Sequence, residues 1–270
     1  MNKTNIEYLD YTWNPIAMRC TPVSDGCRNC WHLTMAKRLA KNPLICLDRR
    51  LAYGNGAPQL IHKELQAPLH LRKPARIGVQ FMGDLFHENI DSYWHVEIMQ
   101  IIRKCPQHIF LFLTKRPSIM KDILFHWFLP NLSNLWLGVS ISNQPDADKN
   151  IPILLQMPAA HYFISHEPGL GIITYPKEFL ALGRDGLLIT GGETGPKARP
   201  MHPDIPRHDR DQCQVAGVSF FFKNWGEWTD LTPDKVYLQY KFDDGLLMHR
   251  VGKKNAGHLL DGKEHREFPK

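Results

Sequence analysis

The 270-residue chain has no stretch approaching the ~20 consecutive apolar residues that a membrane span needs. Its opening residues, Met1 to Glu7, lack the apolar run of a signal peptide. These absences lead us to expect a cytoplasmic protein with no membrane partner. Internal repeats and compositionally disordered tracts are also missing, and 43% hydrophobic with 22% charged residues is ordinary for a globular chain. That length can bury either one large α/β domain or two small ones. Cysteine is scarce, at six residues. In a reducing compartment so few thiols do not make a disulfide framework. Charge of one sign is only mildly in excess: the formal net charge is +6, which favours a polyanionic partner or a phosphate-bearing substrate.

Half of the cysteines fall in one stretch, from Cys20 to Cys30, spaced as Cys-x6-Cys-x2-Cys on Cys20, Cys27 and Cys30. Pro22 and Gly26 read as turn formers between the first two, so a single loop can converge three sulfurs on one point. That pattern is a metal site. The fourth ligand decides the metal, because structural zinc wants a closed tetrahedron, whereas a four-iron cluster on three thiolates leaves one iron open. His32 is the nearest residue able to close a Cys3His zinc knuckle, and spacing alone leaves both readings standing. Cys46, Cys105 and Cys213 are scattered and read as small apolar packing residues.

After the thiol loop, Met35, Ala36, Leu39 and Ala40 share a helical face, so the loop empties into a helix. Residues 43–74 hold four prolines and the turn-rich Tyr53 to Pro58, and read as a long irregular insertion, either surface decoration or a lid. From residue 75 strands and helices alternate. The apolar runs are 76–82, 109–113, 135–140, 161–165, 186–190 and 218–222, with helices capped by Asp91 and Ser92 or opened by Pro117 and Pro145. Ile6 to Tyr11 is a candidate first strand. Apolar runs buried on both faces and spaced by helices make a parallel sheet with right-handed crossovers. The expectation is an α/β fold, a partial or complete (β/α) barrel of about six parallel strands. It forms one domain over 1–270, with a C-terminal extension at about 229–270.

Active sites of such folds gather at the C-terminal ends of the strands. Those ends are polar here: Met82-Gly83-Asp84 with His87 behind, Thr114-Lys115-Arg116, Ser140 to Asn143, His166-Glu167, Thr190 to Thr194, and Lys223 to Trp228. Taken singly, each suits a helix cap or a surface loop. Together on one rim they make a polar cup beside a metal loop.

Three cysteines in the loop after the first strand of a βα barrel resemble the radical S-adenosylmethionine (SAM) superfamily. More specifically, Tyr11-Thr12-Trp13-Asn14-Pro15, the cysteine triplet, Phe81 to Phe86, Leu113 to Pro117 and Gly191 to Met201 resemble a radical-SAM-like family common in bacteriophages. The similarity continues through Asp211-Gln212-Cys213 and Phe221 to Trp228 to Val251-Gly252-Lys253-Lys254. It covers nearly the whole chain.

The resemblance implies a [4Fe-4S] cluster on Cys20, Cys27 and Cys30 whose open iron chelates SAM, and a 5′-deoxyadenosyl radical that abstracts hydrogen from a substrate in the barrel. It places the SAM amino group at Met82, Gly83 and Asp84, its carboxylate at Lys115 or Arg116, and the ribose at Ser140, Ser142 and Asn143. His166 and Glu167 would act on a substrate proton or amine, and Glu193 would face substrate. The implied reaction is an isomerase- or mutase-type rearrangement of a modified thymine in phage DNA, in the host cytoplasm, with an electron donor. Nucleic acid or a nucleotide is thus the implied substrate. Two features depart from the superfamily. Its usual spacing is Cys-x3-Cys-x-aromatic-Cys, whereas this loop is longer, with Asn29 before the last thiol and Trp31 after it. The Gly191-Gly192-Glu193 triplet resembles a SAM-binding signature that normally follows the second strand, yet here it follows a late one. A competing class is a non-catalytic zinc or iron-sulfur nucleic-acid-binding module, with Trp225 and Trp228 stacking on bases.

Overall fold

A computed structural model of the chain describes residues 1–55, 57–126, 132–232, 235 and 238–269. It is a mixed α/β fold built on a large, mostly parallel sheet of eight strands. The chain forms two compact units. One comprises residues 1–23, 30–139 and 153–162, the other 24–29, 140–152 and 163–270.

In the first unit, β1 (Asn2–Lys3) pairs antiparallel with β2 (Tyr11–Trp13). The first parallel strand was expected at Ile6 to Tyr11. Residues 7 and 8 instead form a turn closed by Leu9 N donating to Ile6 O at 2.9 Å, so the strand starts where that expectation ends. A short antiparallel pair follows the strand, β3 (Ile16–Ala17) with β4 (Gln59–Leu60). Parallel pairing then runs from β2 to β5 (Arg76–Val79), to β6 (Ile109–Thr114), to β7 (Leu135–Ile141). Strand β7 is buried along its whole length, which is why its sequence is continuously apolar. The helices of this unit are α1 (Trp31–Ala40), α2 (Leu47–Asn55), α3 (His62–Leu65), α4 (Ser92–Lys104) and α5 (Pro117–His126). Asp91 caps α4 by accepting from Tyr93 N at 2.9 Å. The segment 43–74, expected to be irregular, instead carries α2, β4, α3 and a single 3-10 turn. Tyr53 and Ala52 of α2 pack with Ala17 and Ala36, so this segment is part of a core. Gly56, which the turn reading included, lies outside the described residues.

The second unit holds α6 (Gln144–Leu154), most of which lies within it, the end of β8 (His161–His166), α7 (Lys177–Leu180), β9 (Gly186–Gly191), α8 (Asp204–Ala216) and β10 (Ser219–Asn224). Strands β9 and β10 pair in parallel from Leu187/Ser219 to Thr190/Phe222, with a register shift before Asn224. Phe220, Phe221 and Phe222 are all buried. The region expected as a C-terminal extension contributes a small antiparallel sheet, β11 (Trp228–Thr229), β12 (Gln239–Lys241) and β13 (Leu247–Arg250), then α9 (Lys253–Ala256). Its last residues lie along β10: Phe222 N donates to His265 O at 3.0 Å and Glu267 N to Phe220 O at 3.2 Å. The Arg266 guanidinium sits over the Phe221 ring at 4.6 Å. Backbone groups of β10 thus find partners in the tail. Among the described residues no helix is long and apolar enough to cross a membrane.

Candidate metal centre

Cys20 is half-buried, and its surroundings are organised by Arg116, whose side chain is 6% exposed. All five guanidinium N–H groups of Arg116 are used. Nε donates to Glu88 Oε2 at 2.8 Å, and Nη1 donates to Asp84 Oδ2 at 3.2 Å and to Cys20 Sγ at 3.7 Å. Nη2 donates to Thr21 O at 3.0 Å and Thr21 Oγ1 at 2.8 Å. Burial alone would lower the Arg116 pKa, but Asp84, the Cys20 sulfur and Glu88 outweigh it and hold the pKa above the ordinary value. A fixed cation therefore lies against one thiol of the triplet. Such a contact favours the thiolate, the form that binds metal.

Asp84 was expected to receive the SAM amino group. Its carboxylate instead accepts from Phe86 N at 3.0 Å and Thr114 Oγ1 at 2.7 Å through Oδ1, and from Lys115 N at 3.2 Å and Arg116 Nη1 through Oδ2. Four donors engage it, which ties the strand tip to Arg116. Arg116, one of the two residues expected to meet the SAM carboxylate, likewise has every guanidinium N–H engaged. Met82 N donates to Asn14 Oδ1 at 2.8 Å, so the Thr-Trp-Asn-Pro segment braces the Met82-Gly83 tip. His87 Nε2 lies 2.9 Å from Thr21 Oγ1 and also supports the thiol loop.

His32 is buried and its Nε2 accepts from Cys20 N at 3.1 Å. Burial, followed by the nearby Arg19 charge, lowers its pKa to about 4, so the ring is neutral near neutral pH. It orients the backbone of the first thiol. Among the described residues, no group of three or more His, Cys, Asp or Glu side chains is arranged to hold a single metal ion. His32, the residue read as able to close a Cys3His set, has its Nε2 on the Cys20 backbone. In a [4Fe-4S] cluster held by three cysteines, each thiolate binds a separate iron. Three thiols outside any disulfide, one of them against a cation, suit that arrangement.

Cys27 ends a single 3-10 turn, Asp25–Cys27, in the second unit. Gly26, read as a turn former, is the middle residue of that turn and is not among the positive-φ residues. Its reason is close approach: a Cβ built there would lie 2.0 Å from Ser142 Oγ and 3.4 Å from Pro168 Cδ. On the flanks, Asn29 Nδ2 donates to Glu193 Oε2 at 2.9 Å and to Lys197 O at 2.8 Å. Arg199 ties the set together. Its N and Nε donate to Glu193 Oε2 at 2.8 and 3.0 Å and its Nη2 donates to Glu193 Oε1 at 2.7 Å, while Nη1 reaches Asp25 Oδ2 at 2.8 Å. Burial raises the Glu193 pKa, but the Arg199 and Asn29 hydrogen bonds prevail and hold the carboxyl below its ordinary value. Glu193, expected to face substrate, is thus engaged by the thiol loop and Arg199. Its own main chain passes close to Gly226, where a Cβ would lie 2.2 Å from Glu193 O.

The remaining strand-tip residues separate into different environments. His166 is fully buried: Nδ1 lies 2.7 Å from Asp209 Oδ2 on α8, and Thr190 Oγ1 and Tyr175 OH donate to the same carboxylate at 2.7 and 3.0 Å. That network faces α8, and Glu167, expected to act with His166, has a different partner. Glu167 pairs instead with Lys223 Nζ at 2.5 Å, beside Gly191. Ser140 Oγ donates to Glu167 O at 3.3 Å, and Asn143 Oδ1 caps α6 by accepting from Asp146 N at 3.0 Å. Ser142 Oγ is buried without a hydrogen-bond partner. Trp225 and Trp228 are buried, with Nε1 donating to Leu259 O at 2.9 Å and Ala198 O at 2.8 Å, so neither presents a face for a base. Sequence reasoning assigned no role to Arg199, Asn29, Asp25, Asp209 or Lys223. The signal was position alone: Asp25 and Asn29 stand inside the thiol stretch, and Arg199 and Lys223 inside quoted motifs.

Comparison with curated proteins gives no match, and comparison with solved structures gives none either. The model of one family, described as Protein of unknown function (DUF5131), matches residues 3–269, nearly the whole chain, and the chain belongs to that family.

Proposed function

We propose that the chain is a radical SAM enzyme that holds a [4Fe-4S] cluster on Cys20, Cys27 and Cys30, in a sheet curved as a partial barrel. The observation that carries the reading is the contact of the Arg116 guanidinium with Cys20 Sγ, the first of three thiols in the stretch Cys20 to Cys30. Bound there, cluster and SAM would supply one electron and a 5′-deoxyadenosyl radical able to take hydrogen from a substrate.

The roles of this chain's residues then divide as follows. Arg116 holds Cys20 as a thiolate, and His32 orients its backbone. The main-chain carbonyls at Met82 and Gly83 take an ammonium, Lys115 takes a carboxylate, and the Ser142 hydroxyl takes a ribose hydroxyl. Glu167 and Lys223, paired across the tip of β9, handle the substrate proton or amine. The substrate class is a modified pyrimidine in nucleic acid or a nucleotide, supported by the net charge of +6, and the reaction is an isomerase-type rearrangement fed by an electron donor. A phage-encoded protein acting in the host cytoplasm suits that substrate. The non-catalytic binding module loses the exposed indoles it needs, since both tryptophans are buried.

Anaerobically reconstituted protein given a strong reductant and SAM should release 5′-deoxyadenosine and methionine even without substrate. Production of S-adenosylhomocysteine alone would replace radical chemistry with methyl transfer. With substrate present, deuterium on a modified thymine in an oligonucleotide should appear in 5′-deoxyadenosine, and oligonucleotide binding should weaken with salt.

A further inference from the structure

We propose that Glu193 and Arg199 are positioning residues for the second thiol: they lock Asp25 to Asn29 in the pose from which Cys27 reaches a cluster. The inference rests on reading the loop as the cluster's ligand. It assigns the Gly191 to Met201 motif to the loop rather than to SAM or substrate.

The argument starts from the loop's local weakness. Residues 24–29 contain a single 3-10 turn, with Cys27 N donating to Ser24 O at 3.0 Å and Arg28 N to Asp25 O at 3.1 Å. One isolated turn is far too short to hold itself in water. The segment must be held from outside. Arg199 supplies this at one end, bonding Asp25 through both its carboxylate and, from Nη2 at 3.1 Å, its carbonyl. Asn29 supplies it at the other end, bonding Glu193 and Lys197 O. Glu193 joins the two ends, because its Oε2 accepts from Asn29 Nδ2, Arg199 N and Arg199 Nε together.

Between these ends, Gly26 lies against Ser142 and Pro168 with no space for a side chain. Cys27, next in the chain, is only 8% exposed. Every side chain in the clamp has a donor or acceptor matched to it. The base of the clamp is rigid as well: Gly192 N donates to Asn224 O at 2.9 Å, and a Cβ at Gly192 would lie 2.1 Å from Trp225 O. A carboxylate that accepts from Asn29 and three times from Arg199 serves to hold the loop.

The test is cysteine-specific alkylation of the metal-free full-length protein with iodoacetamide, read by peptide mass spectrometry. Buried Cys105 and Cys213 report whether the fold is intact. In Arg199→Ala, Cys27 labelling should accelerate about tenfold or more, as expected when a charged clamp no longer opposes local opening, with Cys105 and Cys213 still protected. Arg199→Lys should restore part of the protection, since it keeps the charge but loses the fork. Asp25→Ala, at an exposed position, removes one link without touching Glu193 and should give a smaller rise in the same direction. It decides the matter if Arg199→Ala does not fold. Wild-type labelling rates at Cys27 in these variants would overturn the inference, as would equal acceleration at Cys213. Iron content is read in parallel. Wild-type protein that takes up no iron while Arg199→Ala frees Cys27 supports the clamp and sinks the cluster reading. Wild-type protein that binds iron while Cys27 stays protected in both variants does the reverse.

Discussion

Arg116 Nη1 stands 3.7 Å from Cys20 Sγ and 3.2 Å from Asp84 Oδ2, so one nitrogen couples a strand-tip carboxylate to the first thiol of the triplet. Asp84 and Arg116 side chains are each only 6% exposed. Removing Asp84 leaves the buried guanidinium with Glu88 as its remaining carboxylate, and breaking so buried a pair costs up to about 3–5 kcal/mol. Asp84→Asn should therefore lower the urea midpoint of the metal-free protein and impair cluster retention along with SAM binding. A variant that keeps full stability and a normal cluster but loses SAM would return Asp84 to direct contact with the cofactor.

Gly26→Ala should damage the thiol loop, because its methyl would fall on Ser142 Oγ. Ser142→Ala on its own should be neutral or slightly stabilising, by up to about 1 kcal/mol, since it deletes a buried hydroxyl that lacks a partner. It should weaken SAM binding if that hydroxyl meets the ribose. Combining the two should restore part of the cluster retention lost in Gly26→Ala. No recovery in the double variant would mean that the clash lies elsewhere.

His95 offers a pH test remote from the thiols. It is buried, stacks on Phe86 at 5.5 Å, and its Nε2 lies 2.9 Å from Leu85 O. Burial lowers its pKa, against the smaller opposing effect of carbonyl hydrogen bonds, so the folded protein keeps the ring neutral where the unfolded chain protonates it. Its contribution to stability is complete above the ordinary value of 6.5 and is lost as pH falls from there towards the lowered folded value. His95→Gln should flatten the fall in unfolding free energy below pH 6.5 by up to about 1.4 kcal/mol per pH unit. An unchanged slope would show that His95 does not titrate on unfolding.

Trp225→Phe deletes the hydrogen bond to Leu259 O and should cost about 1 kcal/mol of stability. Because the ring is buried, the ratio of wild-type to variant oligonucleotide affinity should stay near one at every salt concentration. A folded variant with selectively weakened binding would place the indole on a strand after all.

The strand pattern was legible because strands such as Leu135–Ile141, buried on both faces, leave continuous apolar runs. The first strand was misplaced because Tyr8 and Leu9 are buried from within a turn, and burial without periodicity resembles a strand. Helix α2 was missed because Pro43 and Pro58 flank it, and prolines that bound an element look like prolines that break one. The thiols declared themselves by spacing. Their supports did not, because Asn29 meets Glu193 across 164 positions and Arg116 meets Cys20 across 96. Trp225 and Trp228 misled because residue type carries stacking capacity but not exposure.

The central claim is that three thiolates of one loop hold a four-iron cluster. Its most direct measurement is iron and acid-labile sulfide per chain after anaerobic reconstitution, compared between wild type, Cys27→Ala and His32→Ala. The account predicts about four of each in wild type and in His32→Ala, and near none in Cys27→Ala. Stoichiometric zinc that iron cannot replace, retained in wild type and lost in His32→Ala, would contradict it.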